Sequence, residues 1–258
     1  MNRKTIVAIR AHAIAEYPRE ACGLVVLDGQ TERYMPCRNT AAGTEHFILC
    51  PEDYAAAEDA GQIIAVIHSH PDQSAEPSTA DLVSCEASGL PWYIAAVAKG
   101  VDGVVTAGEI RGLAPEGYQA PLLGRPFAHG VLDCYTLVRD WYKREQGIDL
   151  PNFARRDDWW NQGDNLYVKH YEEAGFRPMT EAEPLQTGDV IVMQYRSPND
   201  PNHAGIYLGT ATLKECPDLH PVPDAMLHHL YGRLSERVVY GGHWQEMTRL
   251  RLRYSRGK

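Results

Sequence analysis

The sequence predicts an α+β protein built from two domains, and three observations carry that prediction. Over residues 1–112, stretches with helical spacing alternate with short runs rich in β-branched residues, the pattern of an α/β sandwich. Residues 113–126 are dense in Gly and Pro and show no period, as expected of an interdomain linker. Over residues 127–258 one amphipathic helix is followed by apolar runs of strand length.

A chain of 258 residues has the length of one or two domains, and 44% hydrophobic with 23% charged residues is an ordinary globular composition. The net charge of −9 argues against a nucleic-acid binder, whose affinity comes from neutralising phosphates with Lys and Arg. No apolar run approaches the roughly 20 residues that span a bilayer. Residues 1–20 scatter charges at helical spacing, so no signal peptide is expected. The six cysteines (Cys22, Cys37, Cys50, Cys85, Cys134, Cys216) form no CxxC pair. Reduced thiols in a cytoplasm are the expectation.

Taken in order, residues 5–17 place Ile6, Ile9, Ala13 and Ile14 near one face and read as a helix closed by Pro18. Cys22-Gly23-Leu24-Val25-Val26-Leu27 followed by Asp28-Gly29 reads as a strand and turn, with a partner strand through Tyr34. His46-Phe47-Ile48-Leu49 reads as another short strand. Pro51-Glu52-Asp53 opens a helix that Gly61 closes. Ile63-Ile64-Ala65-Val66-Ile67 is a buried strand by length and branching, expected to stop before Pro71, which cannot continue a ladder. Residues 78–87 read as a helix with Gly89 beyond its end, and residues 92–98 and 101–110 as two strands.

The end of the 63–67 strand carries the first chemistry. His68-Ser69-His70 places two imidazoles on one side of an extended chain, because residues two apart point the same way. Ser78 and Asp81 complete the pattern H-x-H-x7-S-x-x-D. Two His and one Asp suit zinc and leave a fourth position for water, which distinguishes a catalytic site from a structural one. A carboxylate must still accept the proton of that water, and Glu20 lies upstream in Pro18-Arg19-Glu20-Ala21-Cys22-Gly23. Glu20, His68-Ser69-His70-Pro71, Ser78 and Asp81 together resemble the signature of the JAMM (MPN-domain) zinc peptidases. That resemblance implies zinc on His68, His70 and Asp81, Glu20 as general base, and Ser78 steadying an oxyanion. It also implies an MPN/JAMM-like α/β sandwich for residues 1–112.

In the second half, Asp133 is a reasonable N-cap and Leu137, Val138 and Trp141 supply helical spacing, which puts Cys134 in a first turn. Backbone N–H groups and the helix dipole there favour a thiolate. Residues 185–193 read as a strand, and a second strand, His203-Ala204-Gly205-Ile206-Tyr207-Leu208-Gly209, begins with a His able to take a proton from Cys134. Asp133-Cys134, Thr187-Gly188-Asp189-Val190 and His203-Ala204-Gly205-Ile206-Tyr207 resemble the NlpC family of papain-like cysteine peptidases. That family implies a papain-like NlpC-type domain over residues 127–258, with Cys134 as nucleophile and His203 as base, acting on peptidoglycan stem peptides. The third residue falls on Ala225-Met226-Leu227-His228-His229-Leu230; His228 is preferred, His229 is the alternative, and His220 lies on a loop before it. The segment 153–165, with Trp159-Trp160 beside Arg155-Arg156, suits a groove wall or docking surface. The tail, residues 248–258, carries five Arg or Lys and no acid and reads as a solvated or partner-contacting end.

The order of the two domains, with residues 125–142 and 227–235, resembles the tail assembly proteins of lambda-like siphophages. This implies tail-tip proteins as partners, peptidoglycan as substrate, and residence in the host cytoplasm during assembly or in the virion tail. A bifunctional peptidase is then the first expectation. An assembly or docking factor with little activity is the alternative, and an isopeptidase using the first half alone is a third.

Overall fold

A computed structural model describes residues 1–44 and 46–255, and the chain divides into two compact units, Met1–Gln119 and Ala120–Lys258. In the first, Asn2 caps α1 (Arg3–Glu16) by accepting the Thr5 amide. A tight turn joins β1 (Cys22–Asp28) to β2 (Thr31–Cys37), and α2 (Pro51–Ala60) then leads to β3 (Gln62–Pro71). Helix α3 (Thr79–Ser88) crosses to β4 (Trp92–Lys99), which turns back into β5 (Val105–Leu113). The sheet order is β2-β1-β3-β4-β5, with only β3 and β4 parallel. Both faces are covered. Val25, Ala65 and Ile67 pack under Ile9 and Ala13 of α1, while the alternate residues Leu24, Val26 and Val66 pack with Ala57 of α2 and Cys85 of α3. That period of two, buried on both sides, is what an α/β sandwich requires.

Three readings of the first half need correction. Strand β3 continues through Pro71, which pairs beside Val97 of β4. Its other neighbour, β1, ends its register at Cys22↔His68, so no ladder on that side demands the missing Pro71 N–H. Residues 46–49 form no strand; the link is a single bridge, Asn39↔Leu49. The Asn39 side chain takes the bonds a ladder would make, accepting from Ala41 and Ile48 N–H and donating to the carbonyls of Glu20 and His46. Strand β5 begins at Val105 rather than at residue 101, because Gly100 to Val104 close a turn in which Asp102 accepts the Val104 amide.

The 113–126 stretch is not one free linker. Glu86 accepts the N–H groups of Glu116 and Tyr118 in the first unit, whereas Leu122 and Arg125 are fully buried in the second. There α4 (Cys134–Trp141) is followed by a π-helical turn, Tyr142–Gln146. Next come α5 (Leu166–His170), β6 (Phe176–Pro178), β7 (Val190–Met193), β8 (His203–Gly209) and β9 (Ala225–His228). The unit closes with β10 (Glu236–Val239), α6 (His243–Met247) and β11 (Thr248–Tyr254). The antiparallel sheet runs β10-β9-β8-β7-β11-β6. The tail is therefore an inner strand, since Leu250 and Leu252 alternate with arginines and give it a core-facing side; residues 256–258 lie outside the described residues. The run 185–193 is strand only from Val190, after a turn at Gly188 with φ of 99°. Leu137, Val138 and Trp141 of α4 pack on Val190, Val192, Ala204 and Ile206. Trp244 and Met247 cover the opposite face, against Met193, Tyr207 and Met226.

Candidate active sites

In the first unit the ladder that ends at Cys22↔His68 leaves His70 beyond the edge of β1, at the sheet end where α3 begins. Ser78 and Asp81 form a reciprocal cap: Ser78 Oγ accepts the Asp81 amide at 3.1 Å and Asp81 Oδ2 accepts the Ser78 amide at 2.7 Å. The cap fixes the carboxylate. Its Oδ1 lies 3.1 Å from His68 Nε2 and its Oδ2 3.3 Å from His70 Nε2, while the two Nε2 atoms are 3.1 Å apart. A tetrahedral ion with ligands at about 2.0–2.1 Å has edges of roughly 3.3 Å; the two imidazole nitrogens stand near that spacing from each other, and each stands near it from one of the two carboxylate oxygens, a donor set of the kind that holds zinc. Lone pairs held that close repel unless a proton or a cation lies between them. The Ser74 carbonyl accepts from His70 Nδ1 at 2.9 Å, which fixes the tautomer and leaves the Nε2 lone pair facing His68 and Asp81. Phe47 stacks on His68 at 4.8 Å.

Glu20 is 9% exposed, and burial pushes its carboxyl up to about 7, with His70 pulling it down and Asp81 pushing it up. A carboxyl poised near neutrality suits a proton carrier. Its backbone is clamped from two sides. Ala21 N–H donates to Ser69 Oγ at 2.9 Å, Ser69 N–H donates to the Ala21 carbonyl, and Asn39 holds the Glu20 carbonyl. Burial lowers the pKa of His68 despite Asp81. His70 is raised, since Asp81, the Ser74 carbonyl and Glu20 outweigh its burial. Asp81 is depressed by the two imidazoles and Ser78 in spite of burial.

In the second unit Asp133 caps α4 through Thr136 N–H at 2.8 Å, which sets Cys134 at its first position. The Cys134 thiol lies 3.2 Å from Tyr167 Oη and takes the Ala204 N–H; among the described residues it makes no hydrogen bond to His203. His203 Nε2 lies 3.0 Å from His228 Nδ1, and the Trp244 ring meets His228 edge-on at 4.5 Å. His229 points elsewhere, with Nε2 on the Arg233 carbonyl and its ring against Phe127. Among the described residues no hydrogen bond joins His220 to this cluster; its carbonyl accepts from Arg237. Both His203 and His228 are held neutral by burial, His228 down to about 4.

The expected thiolate is not the resting form. Burial and the neighbouring Asp133 carboxylate push the Cys134 thiol up to about 11, against the Tyr167 hydroxyl, the Ala204 amide and Arg155. One helix terminus cannot offset that desolvation.

Sequence comparison now adds a family to each half. Residues 2–107 match the prokaryotic homologs of the JAB domain, and residues 124–253 match the NlpC/P60 family. Over 257 residues the chain is 44% identical to the tail tip assembly protein K of Escherichia phage N15, covering 98% of this chain and 96% of that one. The chain belongs to the tail tip assembly protein K family. It is also 39% identical over 202 residues to the family member of Escherichia phage lambda, covering 78% of this chain and 86% of that one. A solution structure of a Desulfitobacterium hafniense protein shares 29% identity over 42% of this chain and 88% of its own, with a TM-score of 0.32.

Two residues beside the family's Cys helix are not visible in the sequence pattern. Arg155 donates from Nε to Asp133 Oδ2 at 2.7 Å, from Nη2 to Thr136 Oγ1 and the Gly130 carbonyl, and from Nη1 to Asn152 and the Phe153 carbonyl. Its side chain is 6% exposed and that of Asp133 4%, so this is a buried ion pair. Tyr167 comes from α5 and borders an apolar cavity of about 40 Å³ lined also by Tyr135, Phe153, Trp159 and Tyr171. Trp159, within the segment read as a groove wall or docking surface, is buried.

Proposed function

We propose that this chain serves tail-tip assembly in a siphophage and carries two hydrolytic centres. The first unit would hold zinc on His68, His70 and Asp81 and act as a peptidase or isopeptidase. The second would be a cysteine endopeptidase for peptidoglycan stem peptides, with Cys134, His203 and His228 as its reacting and orienting groups. The observation that carries the reading is the 3.0 Å His203–His228 contact, one residue from the N–H that binds the Cys134 thiol. Tail-tip proteins are then the partners, with the host cytoplasm as the place of assembly and the tail as the later location.

In the second site His203 Nε2 is committed to His228, so Nδ1 takes the proton of Cys134. The sulfur attacks the scissile carbonyl carbon, and the C–N bond breaks as His203 returns that proton to the leaving amine. Water then hydrolyses the thioester and restores the thiol. In the first site a bound zinc ion supplies Lewis acidity toward carbonyl and water. Glu20 receives the proton of the attacking water and passes it to the leaving nitrogen. Ser78 accepts the Asp81 amide through its oxygen and so keeps its own proton for an oxyanion.

The test is digestion of purified peptidoglycan with mass-spectrometric readout, comparing wild type, Cys134→Ala and Glu20→Gln. Fragments lost in Cys134→Ala and kept in Glu20→Gln support the wall-hydrolase reading of the second unit. No fragments from folded, reduced, zinc-loaded protein favour a docking factor. That second reading has one observation behind it: the Cys134 thiol lies 3.2 Å from Tyr167 Oη and, among the described residues, makes no hydrogen bond to His203.

A further inference from the structure

His228 is fully buried, and its Nε2 has no hydrogen-bond partner among the described residues. A polar nitrogen left so is costly, and its nearest charged neighbour identifies what it lacks. Glu236 is the direct cross-strand partner of His228 in the β9–β10 ladder, and its Oε1 lies 3.8 Å from His228 Nε2. The Glu236 side chain is one-third exposed and also meets Arg233 at 3.4 Å, so it has room to adjust.

Proton positions make this neighbour matter. The His203–His228 contact admits two arrangements. If His228 Nδ1–H donates, His203 carries its own proton on Nδ1, the nitrogen that must accept from the thiol, and cannot serve as base. If His203 Nε2–H donates, its Nδ1 is free to accept. His228 must then carry its proton on Nε2, inside the protein, and that N–H needs an acceptor. We propose that Glu236 is a positioning residue of the thiol site, accepting from His228 Nε2–H and thereby holding His203 in the tautomer that can act as base. This rests on the cysteine-peptidase reading above. It adds a carboxylate as a fourth member behind His228, which itself fills the third-group role that peptidases commonly give to Asp or Asn.

The groups facing His228 are His203 from β8, His229, Arg233 and Glu236 beside it, and the Trp244 ring from α6. Arg233 and burial keep His228 neutral, which is the state the tautomer argument needs. Arg233 also competes for Glu236.

The test uses the full chain labelled with ¹⁵N-histidine, with ring signals assigned through His228→Asn. Long-range ¹H–¹⁵N spectra report which His228 nitrogen holds the proton. In parallel, the iodoacetamide alkylation rate at Cys134 is read by peptide mass spectrometry. Wild type should show Nε2–H. Glu236→Ala should move the proton to Nδ1 and slow Cys134 alkylation about tenfold, the scale of one lost hydrogen bond to a charged group. Glu236→Gln keeps a carbonyl acceptor and should retain Nε2–H and most of the rate. Nδ1–H in wild type, or an unchanged tautomer and rate in Glu236→Ala, overturns the proposal. A tautomer that responds to Glu236→Ala in folded, reduced protein that releases no peptidoglycan fragments upholds the Glu236–His228 bond and overturns the peptidase reading instead.

Discussion

Replacing Arg155 with Met should destabilise the second unit and slow its thiol together. Met keeps most of the packing volume and removes the charge, so the Asp133 carboxylate is left buried without its partner. Breaking a buried ion pair in this way costs about 3–5 kcal/mol, far more than a surface pair. With a urea m-value of about 2 kcal/mol/M, the midpoint should fall by roughly 2 M. Of the five tryptophans only Trp92 lies in the first unit, so fluorescence reports mainly the second. The pH dependence has a definite sign. Asp133 is depressed in the folded protein, chiefly because Arg155 and the Thr136 amide outweigh burial. Its contribution is therefore present above the ordinary carboxyl range near 3.8 and is lost as pH falls through the lower folded value. In Arg155→Met the orphaned carboxyl is raised instead, so the deficit is full near pH 7 and shrinks toward about pH 4 as it protonates. Alkylation of Cys134 at about pH 8 should slow, because Asp133 then acts on the thiol unopposed. Adding Asp133→Asn should recover part of both losses. A midpoint shift below about 0.5 M, equal at both pH values, would refute the buried-pair account.

In the first unit, Asp81→Asn should abolish stoichiometric zinc binding by the chain, read by metal analysis after dialysis, and remove the zinc-dependent rise in melting temperature. The wild-type rise corresponds to about 2.7 kcal/mol at a hundredfold excess over Kd. Asn39→Ala leaves two carbonyls and two N–H groups near Glu20 without their partner. It should cost about 3 kcal/mol in chemical denaturation, and a loss under 0.5 kcal/mol would show that water replaces the amide. Tyr167→Phe removes the hydroxyl that lowers the thiol pKa. Cys134 alkylation should slow about threefold, whereas acceleration would mean that the hydroxyl blocks the thiol rather than stabilising its anion.

What could be read in the sequence was local. His68 and His70 share a side because a strand alternates, and Asp81 joins them because Ser78 starts a helix three residues earlier; both relations lie within one short stretch. The Asp133 cap put Cys134 at a first helical position for the same reason. The two-domain α+β class followed from periods that the burial of both sheets reproduces. Contacts made through irregular chain were not legible. Arg155 reaches Asp133 across 22 residues and Tyr167 reaches Cys134 across 33, from segments with no period to place them. Strand β11 was hidden by its arginines, since only Leu250 and Leu252 betray a buried face. The 46–49 strand failed because one side chain, Asn39, does a ladder's work, which no propensity encodes. The thiolate expectation considered the helix terminus alone and omitted the thiol's desolvation and the Asp133 carboxylate beside it.

The two units hold their reacting groups in opposite states of readiness. In the first, the Ser74 carbonyl fixes the His70 tautomer and the Ser78–Asp81 cap fixes the carboxylate, so the two imidazole nitrogens lie 3.1 Å apart and each meets one Asp81 oxygen, at 3.1 and 3.3 Å. In the second, the proposed base His203 is paired with His228, but the proposed nucleophile Cys134 is not engaged with it. Burial and the Asp133 carboxylate push the Cys134 thiol up, and it lies against the Tyr167 hydroxyl. On the peptidase reading, turnover there would require a substrate that draws the sulfur from the Tyr167 hydroxyl toward His203 Nδ1, with its binding energy offsetting that loss. A thiol restrained in this way would ignore most peptides it met during assembly and respond to one able to move the sulfur off Tyr167, which is the behaviour a wall hydrolase carried in a tail would need.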